Sequence, residues 1–358
     1  MYTLVRPPAQ RPRIRILAID SRWLICDVTR MFQPSANIET LRQRAVVVGN
    51  LRRFFESHDF FEVDTPMLSS DIVVDRYLDP IPIARNHLEM ASTGQLAPDT
   101  QPYWLQTSPE FAMKRLVASG ADAIYQITHA FRSGEMGRLH NPEFTMLEWY
   151  RMGDTQQSAM QLLGELAISI LNRTDFHCMT YQRAFEEHAG LDPLNAGVTQ
   201  MKQVAQQQAI NMDGLQHETD VDLWRNLLLT HIVEPKLGIG NPTIIYDWPA
   251  SQAALAKVRS GNPPVAERFE LYADGIELAN GYHELRDPLE LRRRNQSVNQ
   301  LRELDGRSPL PTESRLLTAM ESGLPACCGV ALGVDRLVML ALGKNNLREV
   351  MAFPIDIA

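Results

Sequence analysis

Arginines, glutamates and aromatic residues are concentrated in residues 131–150, which also contain a histidine. The guanidinium of Arg132 is always charged and donates hydrogen bonds as a fork, which suits the oxygens of a phosphate. The ring of Phe144 offers a flat face on which a purine can stack. On the two-residue period of a strand, Glu148 and Tyr150 share one face. The segment is therefore predicted to form strand, loop and strand, with side chains suited to a nucleotide.

Two further segments supply carboxylates. In Thr107–Glu110 a proline follows a serine, which predicts a loop that presents Glu110 at the end of a strand. Glu270, Glu277 and Glu284 follow at regular intervals. Carboxylates together with phosphates hold Mg²⁺ in proteins, and other carboxylates can bind an ammonium group. Taken singly, each of these glutamates is equally compatible with a solvent-facing loop or surface.

A fourth segment, Gly329–Arg336, alternates small residues and then begins an apolar helix. Small residues allow a backbone to approach a ligand closely. A helix N-terminus that carries an arginine, here Arg336, favours an anion.

The elements that position these residues are predicted from periodicity and caps. Asn37 is a plausible N-cap of a helix that runs to Phe55, and Asp154 with Gln157 indicates a capping box for a helix to Leu171. Residues 1–36 are predicted to form a separate N-terminal extension with short β segments within residues 14–28, followed by one α+β domain in residues 37–358. Strands and helices are predicted elsewhere at 60–66, 103–105, 113–118, 123–127, 180–235, 243–247, 266–272, 277–285, 286–305 and 330–343.

Composition excludes several classes of protein. The 358 residues are 44% hydrophobic and carry a net charge of −8, which argues against broad nonspecific nucleic-acid binding. Cys26, Cys178, Cys327 and Cys328 lack the spacing of a zinc site, and inert thiols are expected. The sequence contains no apolar run of signal-peptide or membrane-span type, so a cytoplasmic protein without a membrane partner is expected.

Three segments resemble the defining motifs of class II aminoacyl-tRNA synthetases. Residues 131–148 resemble motif 2, Gly333–Arg336 resembles motif 3, and the helix ending near Phe55 with the strand after it resembles motif 1, which forms dimers. Residues 107–110, 140–144 and 279–284 are similar to lysyl-tRNA synthetases. From about Ser35 onward the chain resembles most closely the stand-alone ligases that attach (R)-β-lysine to elongation factor P.

The resemblance implies an α+β fold with a six- or seven-stranded antiparallel sheet flanked by helices, in a homodimer. It implies that Arg132 and Arg336 are catalytic and hold the α- and γ-phosphates of ATP, while Phe144 stacks on adenine. Mg²⁺ would be held by Glu270 and Glu277. The implied nucleotide-binding set is Arg132, Ser133, Gly134, Glu135, Asn141, Phe144, Glu277, Leu278, Gly333 and Arg336.

The resemblance also implies an amino-acid pocket. Its implied residues are Ser108, Pro109, Glu110, Glu148, Tyr150, Asn280, Glu284 and Ala331. Carboxylates suit the ammonium of lysine, since a buried cation is costly unless it is paired. The implied reaction forms an aminoacyl adenylate and then transfers the amino acid to a lysine of elongation factor P, without tRNA.

Two departures bear on these expectations. Ala331 stands where lysyl-tRNA synthetases have glycine, and its methyl group is expected to favour (R)-β-lysine over α-lysine. Gly134 stands where the family has a glutamate that reads adenine, so Glu135 is the candidate replacement.

Two alternatives stay open. The chain could be a truncated lysyl-tRNA synthetase, although residues 1–36 are too few for an anticodon-binding barrel. It could also be a non-catalytic regulatory subunit, but such proteins lose the phosphate-binding arginines that are present here.

Overall fold

The chain forms nine α-helices and twelve β-strands over the residues that the computed structural model describes, 32–85 and 101–358. The helices are α1 Ile38–Glu56, α2 Glu110–Ala118, α3 Gln156–Leu171, α4 Tyr181–Ala189, α5 Val198–Gln207, α6 Val221–Leu228, α7 Pro288–Leu304, α8 Arg315–Gly323 and α9 Val334–Ala341. The strands are β1 Phe61–Glu62, β2 Leu68–Ser69, β3 Ile81–Ile83, β4 Tyr103–Leu105, β5 Ala123–Phe131, β6 Glu143–Met152, β7 His177–Thr180, β8 Thr243–Pro249, β9 Val258–Arg259, β10 Val265–Ala273, β11 Ile276–His283 and β12 Cys327–Gly333. Most of the predicted N-terminal extension, with its β segments and Cys26, lies outside the described residues.

One large sheet dominates this part of the chain. Its strand order is β1-β5-β6-β12-β11-β10-β8-β7, and the short strand β9 pairs with β10. Neighbours from β5 to β8 are antiparallel, whereas the edge pairs β1–β5 and β7–β8 are parallel. The prediction of an α+β fold with an antiparallel sheet and flanking helices is confirmed. The sheet has more than the six or seven strands that the resemblance implied, because short edge strands extend it.

Helix α1 begins where its sequence predicts. The side chain of Asn37 accepts a hydrogen bond from the backbone nitrogen of Thr40 at 2.8 Å, which satisfies one of the free donors of the first turn. Val47, Leu51 and Phe55 follow at intervals of one helical turn and are buried. One stripe of the helix therefore packs on the sheet.

The predicted cap of helix α3 is wrong by one residue. Thr155, and not Asp154, is the N-cap, and it exchanges hydrogen bonds with Ser158 rather than Gln157. Asp154 instead accepts a hydrogen bond from the Ser158 hydroxyl at 2.9 Å. Asp and Thr are both good N-cap residues, so composition alone does not distinguish the two registers.

The two faces of the large sheet are covered by different helices. On one face, α1, α3 and α9 bury a cluster that includes Phe55, Leu163, Trp149 and Leu337. On the other face, α4, α5 and α6 pack over β8 and β10, around Trp224, while α2, α7 and α8 form a third cluster. The cavity described below opens on this second face.

The remaining predicted elements are present with shifted ends. Strand β4 has the predicted bounds, β5 extends beyond the predicted Ile127, and α2 begins at Glu110 rather than Met113. Helix α8 and strands β2, β3, β7 and β9 were not predicted.

Within the described residues, no helix is both long and apolar enough to cross a membrane. Cys178, Cys327 and Cys328 are free. Burial raises the pKa of the Cys327 thiol to about 12, in line with the expected inert thiol.

Candidate active site

A cavity of about 600 Å³ lies against strands β6, β11 and β12, below the start of α2 and beside the start of α9. Most of the predicted site residues line it. They are Ser108, Glu110, Arg132, Glu135, Asn141, Phe144, Glu148, Tyr150, Glu277, Leu278, Asn280, Glu284, Ala331, Gly333 and Arg336. The predicted residues that do not line the cavity are Pro109, Ser133, Gly134 and Glu270.

The floor of the cavity consists of two rows of side chains that cross the sheet. One row runs through Glu148, Ala331 and Asn280, which are direct register partners on β6, β12 and β11. The parallel row runs through Tyr150, Gly329 and Tyr282. Because side chains alternate between the faces of a strand, both rows face the cavity. Residues that are distant in sequence thus become neighbours in one pocket.

Gly329 is a functional residue that the sequence analysis mentioned without giving it a role. A Cβ atom at this position would lie 2.1 Å from Cε1 of Tyr150 and 2.6 Å from Oε1 of Glu284. No side chain fits there without displacing both neighbours. Its place at the start of the segment of small residues, Gly329–Arg336, was the available signal.

Glu148 is held by two hydroxyl groups at the amino-acid end of the cavity. Ser108 Oγ donates to one carboxylate oxygen at 2.8 Å, and the hydroxyl of Tyr150 donates to the other at 2.6 Å. Burial and the nearby charge of Glu110 raise the pKa of Glu148 to about 7, although both hydroxyl groups act in the opposite direction. The carboxylate is therefore poised to receive a cation from the cavity.

Lys114 lies beneath this end of the cavity. Its Nζ is 2.5 Å from Oε1 of Glu110, one turn earlier on α2, and it also contacts the carboxylate of Glu284. Burial raises the pKa of Glu284 to about 8, and the adjacent Lys114 ammonium opposes that rise. The sequence analysis gave Lys114 no role, although its four-residue spacing from Glu110 was a usable signal.

Arg132 lies at the opposite end of the cavity, directly after β5. Its Cζ is 5.0 Å from the centroid of the Phe144 ring, within the range of a cation–π contact. Its Nη1 is 3.8 Å from Oε1 of Glu135, and its Nε has no hydrogen-bond partner among the described residues. Phe144 and Arg132 are thus brought together, with donor capacity left for a phosphate.

The loop after Arg132 is fixed by its backbone. The nitrogen of Ser133 donates to the carbonyl oxygen of Asp79 at 2.9 Å. Gly134 follows with φ of 79°, a left-handed conformation that glycine adopts without strain. Glu135 lines the cavity and Gly134 does not. This favours Glu135 as the replacement for the glutamate that reads adenine in the family.

Arg336, at the start of α9, is held by several contacts. Its Nε donates to the carbonyl oxygen of Leu139 at 3.1 Å, its Nη1 donates to that of Glu277 at 2.9 Å, and its Nη2 lies 2.7 Å from Nε2 of His140. Burial and the charge of Arg336 lower the pKa of His140. A neutral His140 can accept from the guanidinium, so it is a neighbour of Arg336 that sequence analysis missed.

Asn141 lines the cavity, but its side-chain amide is already hydrogen-bonded within the protein. Nδ2 donates to the carbonyl oxygen of Glu143 at 2.6 Å, and Oδ1 accepts from the nitrogen of Ile355 at 3.1 Å. It holds the C-terminal segment beside the cavity. A direct contact with a nucleotide stays a prediction.

The two predicted metal ligands have different surroundings. Glu277 lines the cavity, and its side chain is 40% exposed, with Arg336 as a distant partner at 3.5 Å. Glu270 is buried, does not line the cavity, and receives hydrogen bonds from Arg268 and Tyr272, each at 2.5 Å. The geometry favours Glu277 over Glu270 as a ligand, and the predicted pair stays a prediction.

Arg268 is a cavity-lining cation that sequence analysis left without a role. Its guanidinium lies 4.2 Å from the centroid of the Trp248 ring and donates to Asn280 Oδ1 at 3.2 Å and to the carbonyl oxygen of Gln252 at 2.9 Å. It therefore orients Asn280, one of the predicted pocket residues.

Asp335, at the start of α9, connects α9 with β6 and α1 near the end of the cavity that contains Arg132 and Arg336. It accepts from the backbone nitrogen of Thr145 on β6 at 2.8 Å and pairs with Arg44 of α1 at 2.6 Å. Arg44 also donates to Thr145 Oγ1 at 2.9 Å. Since Phe144 and Arg336 are adjacent in sequence to these anchors, the network fixes their relative positions.

The two ends of the cavity fit groups of opposite charge. Arg132 and Arg336 suit a polyphosphate, and the exposed carboxylate of Glu277 suits a phosphate-bound Mg²⁺, which takes few protein ligands. The other end presents Glu110, Glu148 and Glu284, which suit ammonium groups.

Comparisons with known proteins find similar sequences over most of the chain. The family model of tRNA synthetases class II (D, K and N) matches residues 26–357. An elongation factor P–(R)-β-lysine ligase of Vibrio vulnificus (strain YJ016) is 46% identical over 327 residues, which are 91% of this chain and 99% of that protein. Ligases with the same name from Vibrio parahaemolyticus and Salmonella paratyphi B are 45% and 43% identical, over 91% and 92% of this chain and 99% and 98% of their own lengths.

Proposed function

The chain belongs to the class II tRNA synthetase family and, within it, to the elongation factor P–(R)-β-lysine ligases, and from this membership we propose that it activates (R)-β-lysine, or lysine, with ATP and ligates it to a lysine side chain of elongation factor P. It is an ATP-dependent, AMP-forming ligase.

One observation carries the proposal most directly. A single cavity has buried carboxylates at one end and two arginines at the other. An amino acid with ammonium groups binds the first end, and its carboxylate then points towards phosphates held at the second. Such positioning supplies much of the rate in phosphoryl and nucleotidyl transfer.

In the first step, an oxygen of the amino-acid carboxylate attacks the α-phosphorus of ATP. A bond forms between that oxygen and phosphorus, and the bond to the bridging oxygen breaks, which releases pyrophosphate. Arg132 stabilises the negative charge that develops at the α-phosphate, and Arg336 holds the terminal phosphate. The contacts of Arg336 with Leu139 and Glu277 support this role because they fix its orientation.

Bound Mg²⁺ supplies charge neutralisation for the pyrophosphate that leaves. We propose Glu277 as its ligand on this chain. The 40% exposure of the Glu277 side chain supports the assignment.

In the second step, the amine of an acceptor lysine attacks the carbonyl carbon of the mixed anhydride. An amide bond forms, AMP leaves with the electron pair of the broken bond, and the amine loses a proton to solvent. The acceptor is proposed to be elongation factor P, the protein that the names of the ligases above contain, and not tRNA.

Ala331 supports a preference for (R)-β-lysine over α-lysine. It lies in the cavity floor between Glu148 and Asn280, where a methyl group shifts the backbone of a bound amino acid. Ala331→Gly is expected to raise kcat/KM for α-lysine relative to (R)-β-lysine in pyrophosphate exchange. A clear α-lysine preference of the unaltered enzyme would contradict this part of the proposal.

Mass spectrometry of elongation factor P tests the main proposal. The factor is incubated with enzyme, ATP, Mg²⁺ and (R)-β-lysine, and the expected result is a mass increase of one lysine-type residue on a single lysine. Arg132→Ala is the matched control and is expected to abolish the increase.

Two further assays of the same enzyme, tRNA charging and pyrophosphate exchange, separate the alternatives. Lysine-dependent charging of tRNA, with an unmodified factor, would indicate a lysyl-tRNA synthetase. Absence of pyrophosphate exchange with either lysine isomer would indicate the non-catalytic subunit.

We also propose that the protein acts as a homodimer in the cytoplasm. Exposed apolar side chains on α1 and β1 support the dimer, since Ile38, Val46 and Phe61 are 57%, 60% and 51% exposed.

A further inference from the structure

Lys114 is almost completely buried but does not line the cavity. Its side chain is 2% exposed and lies behind the carboxylates of Glu110 and Glu284, which do line it. Glu110 lies on the same helix, whereas Glu284 follows β11, so the ammonium joins two separate elements. A bound amino acid meets the carboxylates and not Lys114, which leaves Lys114 to act through them.

The charges at this end of the cavity can be counted. Glu110, Glu148 and Glu284 supply three negative charges when ionised, and Lys114 supplies one positive charge. The remaining two negative charges match the two ammonium groups of a lysine-type amino acid. The substrate carboxylate lies outside this balance because it reacts at the phosphate end, beside Arg132. Buried charges are stable when they are paired, so the count favours a diamino acid.

We propose that Lys114 is a positioning residue that sets this balance. It pairs with the carboxylates of Glu110 and Glu284 and holds them against the cavity, and the pocket thereby selects amino acids with two ammonium groups. The inference rests on the proposed function, because it assigns this end of the cavity to a lysine-type substrate.

Other titratable groups surround these carboxylates, but none of them is a cation paired with Glu110 or Glu284. They are Tyr150 on β6, Tyr282 on β11, Arg268 on β10, and Cys327 and Cys328 on β12. Arg268 is engaged by Glu270 and the Trp248 ring. Lys114 is the cation in contact with Glu110 and Glu284 within the described part of the chain.

Lys114→Met removes the charge and keeps a side chain of similar length. The KM for the lysine isomer that the enzyme prefers is expected to rise by roughly 100-fold, because a partner is lost from a buried ionic cluster. The KM for ATP is expected to stay within about threefold, since the nucleotide end is distant from Lys114. The Lys114 charge lowers the pKa values of Glu148 and Glu284, so without it the pH at which KM falls is expected to move upward by about one pH unit.

Arg115→Met is the matched control. It removes a positive charge from the adjacent, exposed position of the same helix. Pyrophosphate exchange between pH 6 and 8.5 gives both KM values for each protein. If Lys114→Met matches Arg115→Met in amino-acid KM and pH profile, the inference is overturned.

A second pair of variants covers the case in which Lys114→Met does not fold. Glu284→Gln is compared with the double variant Lys114→Met/Glu284→Gln, which contains one fewer buried charge. In the Glu284→Gln background, removal of Lys114 restores two unpaired negative charges, those of Glu110 and Glu148, so the amino-acid KM of the double variant is expected to be no higher than that of Glu284→Gln. An amino-acid KM more than about threefold higher in the double variant shows an independent structural role of Lys114 and overturns the inference. If the unaltered enzyme shows no exchange with any lysine isomer, the proposed function itself has failed.

Discussion

At the scale of single residues, Glu270 and Glu277 differ in what already binds their carboxylates. Glu270 is occupied by Arg268 and Tyr272, whereas Glu277 has an exposed carboxylate in the cavity. The resemblance treats both as metal ligands, and the contacts distinguish them. The difference can be measured because a lost ligand changes the metal requirement directly.

Glu277→Gln is expected to raise the Mg²⁺ concentration for half-maximal pyrophosphate exchange by about tenfold or more, since one oxygen ligand loses its charge. Glu270→Gln is expected to leave that concentration unchanged and to lower thermal stability, because Arg268 loses its partner. Titration of Mg²⁺ at saturating ATP measures both. Equal shifts in the two variants would show that Glu270 is a ligand after all.

The pH dependence of amino-acid binding follows from Glu148. Burial raises the pKa of this carboxyl to about 7 in the folded protein. An ammonium binds the ionised form, so the amino-acid KM is expected to rise as the pH falls below about 7, by up to about tenfold per pH unit. KM is measured from pH 6 to 8.5, below the range in which the substrate ammonium groups titrate. A flat KM would refute the role of Glu148, and Glu148→Gln should remove the part of the slope centred near pH 7 and leave that of Glu284, whose pKa is raised to about 8.

The same shift affects stability in the opposite direction. The folded protein holds the Glu148 proton more tightly than the unfolded chain, for which the ordinary pKa of 4.5 applies. Stability from this group is therefore complete below that value and declines as the pH rises through about 7. Substrate binding offsets the loss by pairing the carboxylate with a cation.

The residues of the site were predictable where a motif names them. Arg132, Phe144, Glu148 and Arg336 were all identified in this way, and all line the cavity. Gly329 was not assigned a role because its requirement comes from Tyr150 and Glu284, whose side chains meet it only in the folded sheet.

At the scale of elements, Arg44 links three of them. It belongs to α1, pairs with Asp335 at the start of α9, and donates to Thr145 on β6. The side chains of Arg44 and Asp335 are 20% and 4% exposed, so water screens this pair only weakly.

Arg44→Met is expected to lower the free energy of unfolding by about 3 kcal/mol, because it leaves the Asp335 carboxylate buried without a cation. Chemical denaturation followed by circular dichroism measures the loss. Arg42→Met is the control, since Arg42 and Glu39 are 76% and 67% exposed and such pairs contribute about 0–1 kcal/mol. Similar losses in both variants would exclude Arg44 as a link.

The longest helices, with a clear period or a cap, were predictable from the sequence. Helix α1 shows a clear apolar period and an Asn37 cap, and its prediction is confirmed. Strands β2 and β9 have two residues each, too few for any period. The pairing of β6 with β12 joins residues such as Glu148 and Ala331 that are far apart in the sequence, and local patterns contain no information on that register.

At the scale of the whole molecule, the proposed dimer is expected to form through exposed apolar side chains of α1 and β1. Val46 lies on α1 and Phe61 on β1, and both are more than half exposed. The same helix carries Arg44, so an assembly through α1 would lie one contact away from the nucleotide end of the cavity.

Val46→Asp is expected to convert a dimer into a monomer, because a charge in an apolar interface loses its water without gaining a partner. Analytical ultracentrifugation measures the mass in solution. Leu289→Asp is the control, as Leu289 is 72% exposed on α7, a helix that the motif 1 resemblance does not include. A monomeric unaltered protein, or a dimer that survives Val46→Asp, would refute the proposed interface.

The two rows of side chains across the sheet restrict how the pocket can be re-engineered. Along β6, β12 and β11, positions such as Glu148, Ala331 and Asn280 face the cavity, while Trp149 and Val330 pack into the core on the other face. Saturation libraries at the cavity-facing positions other than Gly329, where no side chain fits, therefore sample substrate preference with little loss of folded protein. Libraries at the alternate positions sample mainly unfolded variants. The sheet face on which a side chain lies therefore separates positions that set substrate preference from positions that hold the core.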